Sequence, residues 1–305
     1  MQGHAEIEKP IYKIGLNHYF LLILLSSLAL IYGFVSNFSL EKKIEDTLKA
    51  QLAKMRSCPV SFEKLNLTYL VPGINLNDIS VSPRCYKGQD DLIINSVQSN
   101  IGFPSFSPIG PSLNTVIKDK FSNINIKSAH GLTEHKVRIE SRKLSSQSIN
   151  PLLGLAQIKG NFDLTAVSTL GARDLKSLQL NLKSNNLTIP AQNINSFSIP
   201  NLDIRNFSLI SNLANKSMLN IKKLIIGDER SPVRANIKGK INLNMKSIIR
   251  SKLDLNIVVK FSEQFQESFG IISLFLDSNK QDENGFYTIN VTGTLNKPKH
   301  TVIQK

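Results

Sequence analysis

Tryptophan is absent from this 305-residue chain, aromatic residues make up only 7% of it, and cysteine occurs twice. Absent too are the Gly-x-Ser-x-Gly elbow, the Gly-x4-Gly-Lys-Ser/Thr phosphate loop and the Gly-x-Gly-x-x-Gly fingerprint. Hydrolase and nucleotide chemistry therefore has no motif to stand on. Of the five histidines, His4, His18, His130, His135 and His300, only the pair in HGLTEH is close. Its spacing matches neither His-Glu-x-x-His nor His-x-x-Glu-His, and on one strand a separation of five turns the two rings to opposite faces. Asp90-Asp91 follows Gly88-Gln89 and reads as a turn cap. No catalytic residue, metal or cofactor is expected.

Acid is scarce. Against 37 lysines and arginines stand 23 acids, which leaves a net charge of +14 and a pI near 9.7. Nucleic-acid binders concentrate such charge on one element and interleave aromatics for stacking. Here Lys159, Lys183, Lys222, Lys238 and Lys260 are scattered as polar partners in alternating runs, the pattern of a solvated sheet face. No nucleic-acid partner is expected. Beside an anionic membrane each such base is worth about 1 kcal/mol. A chain that is 41% hydrophobic and 20% charged is not wholesale disordered, and its length fits one large domain or two small ones.

Charge is missing altogether from Ile14 to Leu40, and Tyr19–Val35 is almost wholly apolar. About 20 such residues, at about 1.5 Å each, cross the roughly 30 Å hydrocarbon core of a bilayer. Tyr19 and Tyr32 stand near the two ends, where aromatic rings prefer the interface. The run exceeds the roughly 7–15 residues of a signal peptide, and SNFSLEKK follows it without an Ala-x-Ala site. An uncleaved transmembrane anchor is expected over 14–38, ahead of a buried soluble helix, with residues 1–13 left in the cytoplasm.

Orientation rests on two opposed signals. Lys9 and Lys13 precede the run, whereas Lys42, Lys43, Lys49, Lys54 and Arg56 follow it, which by charge alone would keep the C-terminal part in the cytoplasm. That rule is weak for long domains. Cys58 and Cys85 bracket one short segment and suit an oxidising compartment. A disulfide is expected between them, the alternative being two free thiols; it would close a loop of about 28 residues and contribute about 3–4 kcal/mol.

Residues 39–57 predict a short amphipathic linker helix. Ser39 is the candidate N-cap, Glu41 lies in the first turn, and Leu40, Ile44, Leu48, Leu52 and Met55 form one stripe for a membrane surface or the following domain. Cys58-Pro59 stops it. From Val60 the period changes to two. Pro72-Gly73 marks a turn, a slip between Leu76 and Ile79 suggests a bulge, and IGFPSFSPIGPS (101–112) reads as a loop. Leu178, Leu180 and Leu182 alternate, as do Leu253, Leu255 and Ile257, and each run is bounded by Asn, Ser, Gly or Pro. These six are the candidate lining of an apolar groove or, equally, of a closed core. Only SEQFQESFGIISLFLD breaks the pattern, with Phe265, Phe269, Ile272 and Leu276 at helical spacing as core. The expected class is mainly β and antiparallel, since long helices for parallel crossovers are missing.

One echo recurs: AQIKGNFDL (156–164) and ANIKGKINL (235–243), with a shorter version in VTGTL (291–295). It predicts a strand carrying glycine where the backbone bends or a neighbour comes close.

A span, a short helix and then VSFEKLNLTYLVPGINLNDISVSP is similar to the opening of the AsmA-like envelope proteins. The C-terminal part resembles the bacterial type II secretion system protein N family. It has a Gly-x-Ile-x-Leu strand (Gly239, Ile241, Leu243), a Ser-x-Leu-x-Leu strand (Ser251, Leu253, Leu255), a helix, and a terminal Gly-Thr-Leu-x-x-Pro (Gly293, Thr294, Leu295, Pro298). The resemblance implies a single-pass inner-membrane protein whose β domain, residues 58–305, lies in the periplasm. It implies an elongated, curved antiparallel sheet, an open half-barrel or groove that is apolar within. The implied function is that of a structural or accessory component of a type II secretion system, acting by contact with other envelope or secretion proteins. The alternative is an AsmA-like protein that binds or transfers phospholipid along the groove. No catalytic residue is carried over.

Overall fold

A computed structural model describes residues 16–37, 40–86, 90–153, 156–172, 174–194, 197–214, 217–244, 247–269 and 280–303. The chain divides into two units, residues 1–50 and 51–305.

The first unit holds α1 (Leu16–Asn37) and most of α2 (Leu40–Lys54). In α1, the described side chains Tyr19–Leu25, Leu28 and Leu30–Tyr32 are apolar and exposed. Among the described residues no helix is long and apolar enough to cross a membrane. The span expected over 14–38 reaches beyond them at both ends, since residues 14, 15 and 38 and the side chains of 16, 17 and 34–37 lie outside the described residues. In α2, Glu41 stands in the first turn and Lys54 in the last, and Lys49 pairs with Glu45 at 2.5 Å one turn away. The expected cap Ser39 lies outside the described residues. None of the α2 side chains is buried; Ile44, Leu48 and Leu52 are half-buried.

The second unit is built from strands. β1 (Val60–Ser61), β2 (Lys64–Thr68), β3 (Gly73–Val81), β4 (Leu92–Ile101), β5 (Ser105–Phe106), β6 (Ile109–Gly110), β7 (Ser112–Lys118), β8 (Asn123–His130) and β9 (Glu134–Ser145) come first. A one-turn helix α3 (Ser146–Ile149), capped by the Ser145 hydroxyl, leads to β10 (Asn161–Gly171) and β11 (Leu175–Ile189). Then follow β12 (Gln192–Ile194), β13 (Phe197–Ile199), β14 (Leu202–Ala214), β15 (Met218–Ile226), β16 (Val233–Asn242) and β17 (Lys252–Phe261). After α4 (Glu263–Ser268), β18 (Tyr287–Thr294) and β19 (Lys297–Ile303) end the unit.

Fifteen of these strands make one antiparallel sheet in near-sequential order, from β1 and β2, which share one edge of β3, to β19 at the other edge. Among the described residues the two edges do not pair, so the sheet does not close into a barrel. β5–β6 and β12–β13 are separate small hairpins. Because successive strands run in opposite directions, the connections alternate between two ends. Cys58 and Cys85, joined by a disulfide with S–S 2.16 Å, lie at the end where the chain enters β1. We call this the disulfide end and the other the free end.

Three expectations change. The register of β3 on β4 is unbroken from Asn77↔Ser96 to Ile79↔Ile94, so there is no bulge; Asp78 instead takes a φ of 50°. The helix expected from Ser262 is six residues long as α4, and Ile272 and Leu276 lie outside the described residues. The stretch 101–112 is not all loop, because it folds the β5–β6 hairpin.

Hydrophobic packing is densest at the disulfide end. Leu144, Phe162, Leu187, Leu202, Ile204 and Phe265 form the main cluster, with Ile149, Ile158, Ile199 and Phe269 packed on it from the connections. The rings of Phe261 and Phe265 stack at 5.5 Å, and Phe162 meets Phe207 edge-on at 6.3 Å. A smaller cluster gathers Ala235, Val259 and Tyr287.

Candidate functional site

The alternating leucines of β11 and β17 are four strands apart in the sheet, separated by β14, β15 and β16. Residues directly opposite one another share a face, so the register shows whether the two sets meet. Leu178 pairs with Leu213, then Leu219, Ile241 and Leu253 in turn. Leu180 leads through Ser211, Ile221 and Gly239 to Leu255. Leu182 leads through Leu209, Leu224 and Ile237 to Ile257. The six candidates therefore terminate three parallel rows on one face. At about 4.8 Å per strand, each row is about 19 Å long.

Burial differs along this face. Leu253 is buried, whereas Leu178, Leu180, Leu182, Leu255 and Ile257 are only half-buried. Towards the disulfide end the same face is covered by Ile149, Ile158, Phe265 and Phe269. Over the three rows no second large sheet is available among the described residues. The middle row carries two small residues, Ser211 and Gly239, between its leucines and isoleucine, and so lies lower than the rows beside it.

The opposite face is polar. Lys183 stands across from Asp163 and Lys238 across from Asn256, while the Asn256 amide donates to Asn290 Oδ1 at 2.9 Å. Arg234 and Lys260, directly opposed, both lie over the Phe286 ring, at 5.4 and 5.7 Å.

The histidine pair is not arranged as one strand would place it. Residues 131–133 turn the chain, so His130 and His135 face each other across the β8–β9 hairpin with ring centroids 5.3 Å apart. Among the described residues no group of three His, Cys, Asp or Glu is placed to hold a metal. The perturbed ionisable groups lie at the disulfide end, away from the rows. Burial and then Asp91 and Asp90 raise Tyr86, a hydrogen bond to Asp203 raises Arg205, and the Arg230 N–H holds Asp228 below the usual carboxylate range.

The intermediate members of the rows are absent from the candidates named from sequence. Leu209 and Leu213 alternate, as do Leu219 and Ile221, but bulges at Ile210/Ser211 and between Ile221 and Leu224 break the period there. No protein-family model matches the chain, and comparison with curated proteins and with solved structures gives no significant match.

Proposed function

We propose that this chain is a non-enzymatic envelope protein that binds lipid acyl chains along the open apolar face of its sheet. The observation that carries the reading is the set of three apolar rows from Leu178–Leu182 to Leu253–Ile257, half-buried except at Leu213, Ser211 and Leu253, with no second large sheet over them among the described residues. An apolar sheet face is stable only when something covers it. An acyl chain suits this one, because the rows offer contact area and no charged group. The charge-free run 14–40 supports a single span at a bacterial inner membrane, and the Cys58–Cys85 bond supports a periplasmic sheet.

A second reading, an accessory component of a type II secretion system working by protein contact, is supported by the C-terminal edge. Among the described residues β19 is paired on one side only, so its outer backbone can take a partner strand. Lys297, Pro298 and Lys299 discourage pairing along its first half, which leaves His300–Ile303.

Photo-crosslinking in bacterial cells separates the two. A photoreactive residue at Leu180 or Leu255 is expected to yield phospholipid adducts, and one at Lys238 on the opposite face none. Protein adducts at Leu180 and Leu255 would give the face to the second reading, and no adduct at either would remove the first.

A further inference from the structure

Large apolar side chains left exposed on the sheet unit are not spread evenly. Leu70, Phe103, Phe106, Ile109 and Leu132 are 100, 95, 92, 81 and 103% exposed, and all five belong to connections at the free end. Ile248, Ile249 and Leu295, also exposed, continue the same rim. Single exposed leucines are ordinary; at the disulfide end Ile93, Phe121, Leu152 and Leu153 are 41–56% exposed, whereas every apolar side chain above 80% among the described residues of this unit stands at the free end.

The connections that carry the first five are neighbours. Ile101 N–H donates to Pro72 O and His130 N–H to Pro111 O, both at 2.9 Å, and a Cβ on Gly131 would sit 2.7 Å from Pro108 Cβ. Just behind this fringe, on the polar face, lies a cleft of about 750 Å³ whose lining includes Phe103, Lys127, Lys136 and Arg138. Lys127 stands directly opposite Arg138, an arrangement that costs stability unless an anion answers it. Glu140 pairs with Arg138 at 2.5 Å, but among the described residues Lys127 and Lys136 have no ion partner. A second opposed like pair, Arg234 and Lys260, has the Phe286 ring and Asn284 O to satisfy it. Acids gather instead on connections at the disulfide end, among them Asp90, Asp91, Asp119, Asp228, Glu229 and Asp282.

We infer that the free end is a docking surface for an anionic lipid bilayer. The tips at Leu70, Phe103, Phe106 and Leu132 enter the interfacial layer while Lys127, Lys136 and Arg138 meet lipid phosphates. A protein partner fits less well, because the cores of protein interfaces are poor in lysine and these apolar groups sit on separate tips instead of one flat patch. The rim is distinct from the apolar rows, so this inference stands whether or not the rows hold lipid.

The absence of tryptophan makes the test direct, since Phe106→Trp installs a single reporter. The full chain, held in amphipol, is mixed with phosphatidylcholine vesicles that contain brominated phosphatidylglycerol. Expected are a blue shift and bromine quenching for Phe106→Trp and for Leu132→Trp, with neither for Phe121→Trp at the disulfide end. Lys127→Glu with Lys136→Glu, in the Phe106→Trp background, should weaken vesicle binding by at least about tenfold. Equal quenching at 106 and 121, or none at 106, would overturn the inference. So would vesicle binding unaffected by Phe106→Ser while that change abolishes association with another protein or with a second copy, which would make the rim a protein contact.

Discussion

Gly160 and Gly239 hold the same φ of 145°, and each presses against the backbone of the strand beside it. A Cβ at 239 would lie 2.2 Å from Asp254 O and 2.8 Å from Leu255 Cα; one at 160 would lie 2.8 Å from Asn186 O and 3.2 Å from Leu187 Cα. The echoed segments are thus one device used twice: a strand whose backbone is drawn close to its neighbour where only glycine fits. Gly239→Ala should destabilise the sheet unit by about 1–3 kcal/mol, and Gly160→Ala by less, because its neighbours stand further off. Denaturant titration of the two variants against the parent checks the order; equal stability of all three would show that the close approach relaxes freely.

The disulfide ties the entry of β1 to the turn after β3, where Ser82 N–H also donates to Pro59 O at 3.0 Å. Its two cysteines are 27 residues apart. Closing a loop of that size in the unfolded chain is worth about 3–4 kcal/mol. Cys58→Ser with Cys85→Ser should lower the melting temperature. A thiol reductant should lower that of the parent and leave the double variant unmoved.

How much of this was legible beforehand depends on which signals are local. The period-two runs of β11 and β17 identify themselves because side chains alternate along any strand, and the glycine echo needs only the sequence of one strand. That Leu180 and Leu255 end the same row is a matter of register across five strands, passing through Ser211, Ile221 and Gly239, whose own local patterns do not say which residues they stand beside. His130 and His135 mislead for the opposite reason: the turn at 131–133 lacks a Pro-Gly or Asn-Gly signal, so a hairpin reads as one strand. Pro104, Pro108 and Pro111 disclose a break at 101–112, yet whether Phe103 and Phe106 tuck in or stand out is set by their spatial neighbours.

The turn between β15 and β16 should respond to acid. Asp228 Oδ1 accepts from Arg230 N at 2.9 Å and lies 3.0 Å from the Ser231 hydroxyl, which itself reaches Ile204 O at 2.6 Å. These donors, Arg230 N first, then Ser231 with Arg205 nearby, hold the carboxyl below its ordinary value of 3.8. A depressed folded-state value means the contribution is complete above the unfolded value and fades as pH falls through the folded one. Asp228→Asn should therefore be less stable than the parent at neutral pH, with the gap narrowing as pH falls below the ordinary carboxyl value and through the depressed folded one. Ser231→Ala, which strips a buried carbonyl of its donor, should cost about 1–3 kcal/mol, most of it still present in acid. Urea midpoints at several pH values separate the two behaviours.

The half-buried rows give the lipid reading a thermodynamic signature. Leu253 is buried, so Leu253→Ala should cost about 2–5 kcal/mol whether or not lipid is present. Leu255, flanked by Gly239 and Val291 and only half-buried, has less to lose in the empty protein. A ligand that binds only the folded state stabilises it by mass action, about 2.7 kcal/mol at a hundredfold excess over its Kd. Adding short-chain phospholipid below its micellar concentration should therefore raise the melting temperature of the parent and of Leu253→Ala. It should raise that of Leu255→Glu little or not at all, since a charge in the middle row must be desolvated when the chain is laid over it. A gain of the same size in Leu255→Glu would mean that the lipid binds elsewhere and that the rows are not its site.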